Sequence, residues 1–126
     1  MESPEGKPGV LRSDQRRALL AYQAVGAVPA AGRKDYKIAV NDLGANILRS
    51  GLCAALAALQ RREGSGEVLL EHLAGAGIPG LRDVAWNVLA RRVQEIDAGA
   101  YMIATREMLQ VAMWLKRAAQ ATFGDE

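Results

Sequence analysis

Cysteine and histidine are almost missing from this sequence, with Cys53 and His72 the sole member of each kind. One cysteine excludes an intrachain disulfide and a cysteine metal cluster within the chain, and one histidine removes most hydrolase and metalloenzyme layouts. Aromatic residues make up only 5% of the chain, too few for an evident platform of stacked bases. No run approaches the roughly 18 uninterrupted apolar residues of a membrane span, and the opening MESPEGKPG carries no apolar signal segment. Neither membrane spanning nor secretion is therefore expected, and a lone thiol suits a reducing compartment, so the cytoplasm is the expected location. Alternation with a period of two is also absent, which leaves no segment that reads as a strand.

Helical periodicity, by contrast, runs through most of the chain. With 126 residues, half of them hydrophobic and 24% charged, one domain with its own core is the natural size class. Residues 1–12 read as a flexible N-terminal tail. Ser13 is placed to cap a first helix over about 14–28, with Ala18, Leu19, Tyr22, Val25 and Val28 as its apolar stripe. Tyr36, Val40, Leu43 and Ile47 mark a second helix over about 34–49, in which Gly44 is tolerable. Leu52, Leu56 and Leu59 mark a third over about 52–62, with Cys53 as a small buried hydrophobe. Ser65 is placed to cap a fourth at about 67–74. The AGAGIPG segment lacks the strand and the glycine spacing of a dinucleotide loop, and reads as a linker. A fifth helix is expected over about 81–96, with Trp86 wedged against a neighbour. The sixth, about 100–120, repeats Tyr101, Ala104, Met108, Val111, Leu115 and Ala119, and residues 122–126 are expected to fray. The expected fold is an all-α single-domain bundle of five to six helices, with the helical domain at 13–121.

No catalytic constellation emerges. Glu67 and Glu71 form a local pair, but a dimetal bundle needs glutamates on several helices and Glu-x-x-His motifs, and three residues before His72 stands Leu69. Asp83, Glu95 and Glu107 stand alone on patterned helices. The expectation is no enzyme, no cofactor and no metal.

Charge is unevenly spread. Residues 1–62 hold ten Lys/Arg against five Asp/Glu, whereas 63–126 hold six against nine, and twelve of the sixteen basic residues are arginine. Arg12, Arg16 and Arg17 gather at the start of the first helix, Arg33, Lys34 and Lys37 at the start of the second, with Arg49, Arg61 and Arg62 beyond. Such cations neutralise phosphates and hold a backbone without reading bases. A solubilising surface has the same composition, so charge by itself leaves both readings open.

The last helix carries a resemblance. Tyr101, then Ala104-Thr105-Arg106-Glu107 with Leu109, then Trp114-Leu115-Lys116-Arg117, resembles the C-terminal signature of the small helical subunit of the Cmr complex, the type III-B CRISPR RNA-guided effector. Leu43, Ile47, Gly51, Leu52 and Leu56 follow a second stretch of that family, with Gly44 where its proline is usual and Asn46 where an apolar residue is usual. Gln15, Arg16, Ala18 and Tyr22 of the first helix also fit, and the similarity extends over about 13–121. The resemblance implies a non-catalytic subunit of a ribonucleoprotein in antiviral defence. It implies stacking of copies along the complex, beside a repeated backbone subunit and a large subunit, and sequence-independent contact with single-stranded target RNA. Arg106, Lys116 and Arg117 are the RNA-backbone candidates from the motif; Arg16, Arg17, Lys37 and Arg49 are those from the charge clusters. A structural account of Arg106 and Glu107, as ion-pair partners fixing the last helix, stands beside this one. The alternative for the whole chain is a helical adaptor that binds only proteins in another assembly.

Overall fold

The computed structural model describes residues 13–124. The expected tail at 1–12 lies outside the described residues, as do 125 and 126. Six α-helices follow one another: α1 (Ser13–Gly26), α2 (Arg33–Ser50), α3 (Leu52–Arg61), α4 (Ser65–Ala74), α5 (Leu89–Glu95) and α6 (Ala98–Phe123), with 3₁₀ turns at Ala30–Gly32 and Trp86–Val88 and no strand among the described residues. The fold is an all-α bundle with one core.

α6 is the spine. Asp97 caps it by accepting the Ala100 amide at 2.9 Å, and its 26 residues give a rod about 39 Å long. Ala104, Met108, Val111, Ala112, Leu115, Ala118, Ala119 and Phe123 form its buried stripe. α1 and α2 both pack along it. α2 runs antiparallel to α6. At one end Phe123 stands edge-on to the buried Tyr36 ring, centroids 6.3 Å apart, and at the other Gly51 lies against the Tyr101 hydroxyl. α3 and α4 pack on α2 and on each other, and α5 closes over α3.

The break between α2 and α3 is made by Gly51, whose φ of 90° is open to glycine and strained for other residues. Glycine supplies no capping side chain to α3. The Tyr101 hydroxyl takes that role across the bundle, accepting the Cys53 amide at 3.1 Å, so the first turn of α6 satisfies a donor that the α3 terminus leaves open. Cys53 itself is half-buried against the core rather than enclosed by it.

Four local expectations are corrected. In α1 the buried residues are Ala21 and Val25, with Val28 just beyond the helix, while Leu19 and Tyr22 are 48% and 45% exposed. Small residues face inward there because they let α1 approach its neighbours closely, and an ion pair between Arg17 and Glu107 of α6 fixes the rotation. Ser65 does not cap α4: Gly64 holds that place with φ 70°, and Ser65 is the first helical residue, its hydroxyl accepting from Arg62 Nε at 3.1 Å. The fifth helix is short. Gly80 and Asp83 adopt φ of 84° and 60° and Ala85 is extended, so 81–85 is a loop whose Leu81 and Val84 are buried as anchors; their three-residue spacing imitates a helix. Trp86 follows in the 3₁₀ turn, half-buried against the core, with Gln60 of α3 donating to the Asn87 carbonyl at 3.0 Å. Finally, α6 continues through Thr122 to a buried Phe123 and stops at Gly124 with φ 61°, because the Phe123 ring has Tyr36 to pack on.

Two glycines give opposite expectations. Gly66 in α4 is buried, and a Cβ there would run into the Leu59 carbonyl oxygen of α3, a backbone atom that cannot step aside. Gly44, inside α2, has nothing within 4 Å of a Cβ. Gly44→Ala is expected to stabilise the fold by about 0.5–1 kcal/mol, and Gly66→Ala to destabilise it by about 1–3 kcal/mol through overpacking. Chemical denaturation followed by circular dichroism measures both, and a stabilised Gly66→Ala protein contradicts the close α3–α4 approach.

Candidate nucleic-acid interface

The seven candidate cations lie on three helices and in more than one environment. Successive residues of α6 turn by about 100°, so Arg106 and Arg117, eleven positions apart, fall within about 20° of each other and about 16 Å apart along the axis. Both are exposed. Arg106 forms no ion pair among the described residues, so it is not the partner of Glu107. The Arg117 guanidinium lies 5.5 Å from the centre of the Trp114 ring, a cation–π contact one turn back that holds the side chain while leaving its charge unmatched. Lys116 is exposed, and helical geometry places it about 80° around from Arg106, on the flank toward Phe123 and α2.

Lys37 completes this end. From the flank of α2 it donates to the carbonyl of Gly124, at the electronegative end of α6. Lys37, Lys116, Arg117 and Arg106 thus share the α6 side of the bundle. Arg49 does not join them. It lies about 18 Å further along α2 and about 120° around from Lys37, bonded through its guanidinium to Asn46. Arg16 and Arg17 form a separate place on α1. Arg16 is exposed, whereas Arg17 is three-quarters covered and paired with Glu107. Its charge is matched within the fold.

Arg82 was not legible as part of any cluster. The loop that replaces the first turns of the expected fifth helix carries it to the Arg16–Arg17 place, where all three arginines line one cleft. The Gly77–Pro79–Gly80 run just before it is the only hint in the sequence of such a turn. Charge of the other sign gathers elsewhere: Asp35, Glu63 and Glu67 surround a cleft beside Val28, Pro29 and Val68, a place that repels a polyanion.

His72 is structural. Tyr36 and His72 are joined at 2.8 Å between the phenol oxygen and Nδ1, their rings edge to face at 5.3 Å. Burial holds the Tyr36 phenol protonated far above its usual range, and its hydroxyl and the His72 ring nitrogen share one hydrogen bond. Burial likewise lowers the basicity of His72. No group of three metal-ligating side chains occurs among the described residues, and no helix there is long and apolar enough to cross a membrane.

Comparison with known proteins decides the family. The family described as CRISPR-associated protein (Cas_Cmr5) matches residues 13–122. The chain belongs to the Cmr5 family. Among solved structures, the crystal structure of a CRISPR-associated Cmr5 family protein from Thermus thermophilus superposes with a TM-score of 0.76 at 34% identity, covering 89% of this chain and 97% of that one. No curated protein matches. Cmr5-family chains are small, non-catalytic subunits of the type III CRISPR effector complex, and the Arg-rich surface described above is the one this member presents.

The Tyr36–His72 contact makes stability depend on pH. The histidine's proton affinity is lower folded than unfolded, so the unfolded state takes up protons first. The stability it contributes is complete above the ordinary value of 6.5 and is lost as pH falls through the lowered folded value. Stability of wild type minus that of His72→Gln is expected to decline on acidification below about pH 6.5. A flat difference over that range contradicts a half-buried histidine whose basicity burial lowers.

Proposed function

We propose that this Cmr5-family chain serves in a type III-B CRISPR ribonucleoprotein in antiviral defence, where copies stack along the complex beside the repeated backbone subunit and the large subunit and hold the target RNA by its phosphate backbone. Family membership over 13–122 carries the assembly part of this reading. The RNA part draws on the line of unmatched cations along α6. Arg106, Lys116 and Arg117 have no carboxylate partner among the described residues, and Arg117 lies over the Trp114 ring. Cations in such a line can hold phosphates without reading bases. Lys37 extends the line at the C-terminal end of α6, and Arg16 and Arg49 stand apart from it. Arg17 enters with its charge already matched by Glu107, so its share of the salt dependence is small.

A second reading, a scaffold that touches only proteins, has its own support in apolar residues left at the surface. Leu48 is 76% and Met102 67% exposed, both at the end of the bundle where α2 stops and α6 begins. Within an assembled effector these residues suit protein neighbours while the α6 cations face RNA.

Replacing Lys116 and Arg117 together by alanine separates the two readings. Target RNA binding by the assembled effector is expected to weaken equally for unrelated guide–target pairs, with the salt slope falling by about 0.7 for each single-strand phosphate no longer neutralised. Stability should change by less than about 0.5 kcal/mol per site. Unchanged affinity and slope in a correctly assembled complex would favour the protein-only scaffold.

A further inference from the structure

We infer that Arg16 and Arg82 form a phosphate clamp that grips the backbone of single-stranded nucleic acid in the cleft between the start of α1 and the 75–82 loop. The inference rests on the RNA-backbone reading above and adds to it a site away from the α6 line, including a residue that neither the charge clusters nor the family motif singled out.

The cleft has a volume of about 170 Å³ and is lined by Ser13, Arg16, Arg17, Arg82 and Glu107 together with the 76–79 stretch of the loop. Three guanidinium groups meet one carboxylate there. The Arg17–Glu107 pair is internally matched, so the cleft carries the two charges of Arg16 and Arg82 without a counter-ion among the described residues. Asp14 and Asp83, neighbours of the clamp in sequence, do not line it. The ligand this balance calls for is an anion with acceptor oxygens on more than one side.

The loop is built to hold Arg82 in place. Ile78 and Leu81 are buried at 2% and 1% exposure, and the Leu81 amide donates to the Ile78 carbonyl at 2.9 Å, so a tight turn is pinned to the core on both sides. Gly77 and Gly80, with φ of 71° and 84°, provide the left-handed backbone this turn requires. Arg82 Nε then donates back to the Gly77 carbonyl at 3.3 Å. One of the five guanidinium donors is spent in orienting the group, and the remaining fork is available to a phosphate. A side chain held this way loses less freedom on binding than a free surface arginine. Arg16 approaches from the rigid first turns of α1. No aromatic ring lines the cleft, so a strand held here is not held by base stacking, and the two guanidinium groups grip its phosphates.

The test uses the full chain and a fluorescently labelled oligouridylate, with affinity measured by anisotropy at two salt concentrations and inorganic phosphate titrated separately. Arg82→Ala is expected to weaken oligouridylate binding on the order of fivefold at the lower salt and to reduce the salt slope by about 0.7. Arg82→Lys keeps the charge and so should keep the slope while losing part of the affinity. Because Arg82→Ala also removes the bond to Gly77, Arg16→Ala, which leaves the loop untouched, must lower the slope by a similar amount. If Arg82→Ala and Arg16→Ala bind as wild type does while Lys116→Ala/Arg117→Ala binds more weakly, the clamp is wrong and the broader RNA reading stands. If none of these variants differs from wild type, or wild type does not bind, the clamp is wrong, and the broader RNA reading is decided by the assembled effector carrying Lys116→Ala/Arg117→Ala. Saturable binding of inorganic phosphate that depends on Arg82, without any effect of Arg82 on oligouridylate, would overturn the nucleic-acid assignment in favour of a small-anion site.

Discussion

The seam between α6 and α2 is the contact from which the other packing follows. Tyr36 of α2 is fully buried, with its ring edge-on to both Phe123 and His72 and its hydroxyl bonded to His72 of α4. One side chain therefore joins three helices. At the opposite end, Tyr101 of α6 reaches past Gly51 to bond the α3 terminus. Between these two tyrosines the seam is filled mainly by aliphatic and alanine side chains from both helices. Once α2 and α6 are aligned, α1 is seated along α6 and locked in rotation by Arg17–Glu107, α3 and α4 have α2 to pack on, and α5 has α3.

This arrangement also decides where charge can stand. No charged side chain is fully buried among the described residues, so the arginines are pushed to the outside of the bundle or into partnerships at its edge. α6 is long and buried along one stripe, and its opposite side becomes a rail. Arg106 and Arg117 lie along that rail in line because eleven residues make about three turns. A rail of fixed cations suits a polymer with regularly spaced phosphates better than it suits a small molecule, and it needs no catalytic group to work.

The parts of the fold that were legible in the sequence are those where large side chains face inward. Tyr36, Val40, Leu43 and Ile47 in α2, and Met108, Val111 and Leu115 in α6, are buried at the spacings that announce them. The reading failed where size and burial part company. In α1 the expected Val25 is buried, but Ala21 shares the inner side with it while the bulkier Leu19 and Tyr22 stand in solvent, so weighting by size placed two residues of the stripe on the wrong side. Leu81 and Val84 are buried from a loop, which the left-handed backbone at Gly80 and Asp83 and the extended Ala85 distinguish from a helix turn. For the interface, the basic residues were visible but their partners were not. Arg17 and Glu107 are ninety positions apart in sequence, and nothing local to either predicts that one neutralises the other. Arg82 shares a cleft with Arg16 because the 75–82 loop folds back, and the Gly77–Pro79–Gly80 run hints at a turn without showing where it leads.

The central claim is that this chain adds sequence-independent grip on target RNA and contributes no chemistry. The most direct measurement compares the reconstituted effector with and without this subunit, on two target RNAs of unrelated sequence with matched guides, at two salt concentrations. The account predicts that omission weakens both targets by the same factor and lowers both salt slopes, while the RNA that remains bound is cleaved at the same positions. A loss confined to one sequence, or cleavage abolished on RNA that is still bound, would contradict it.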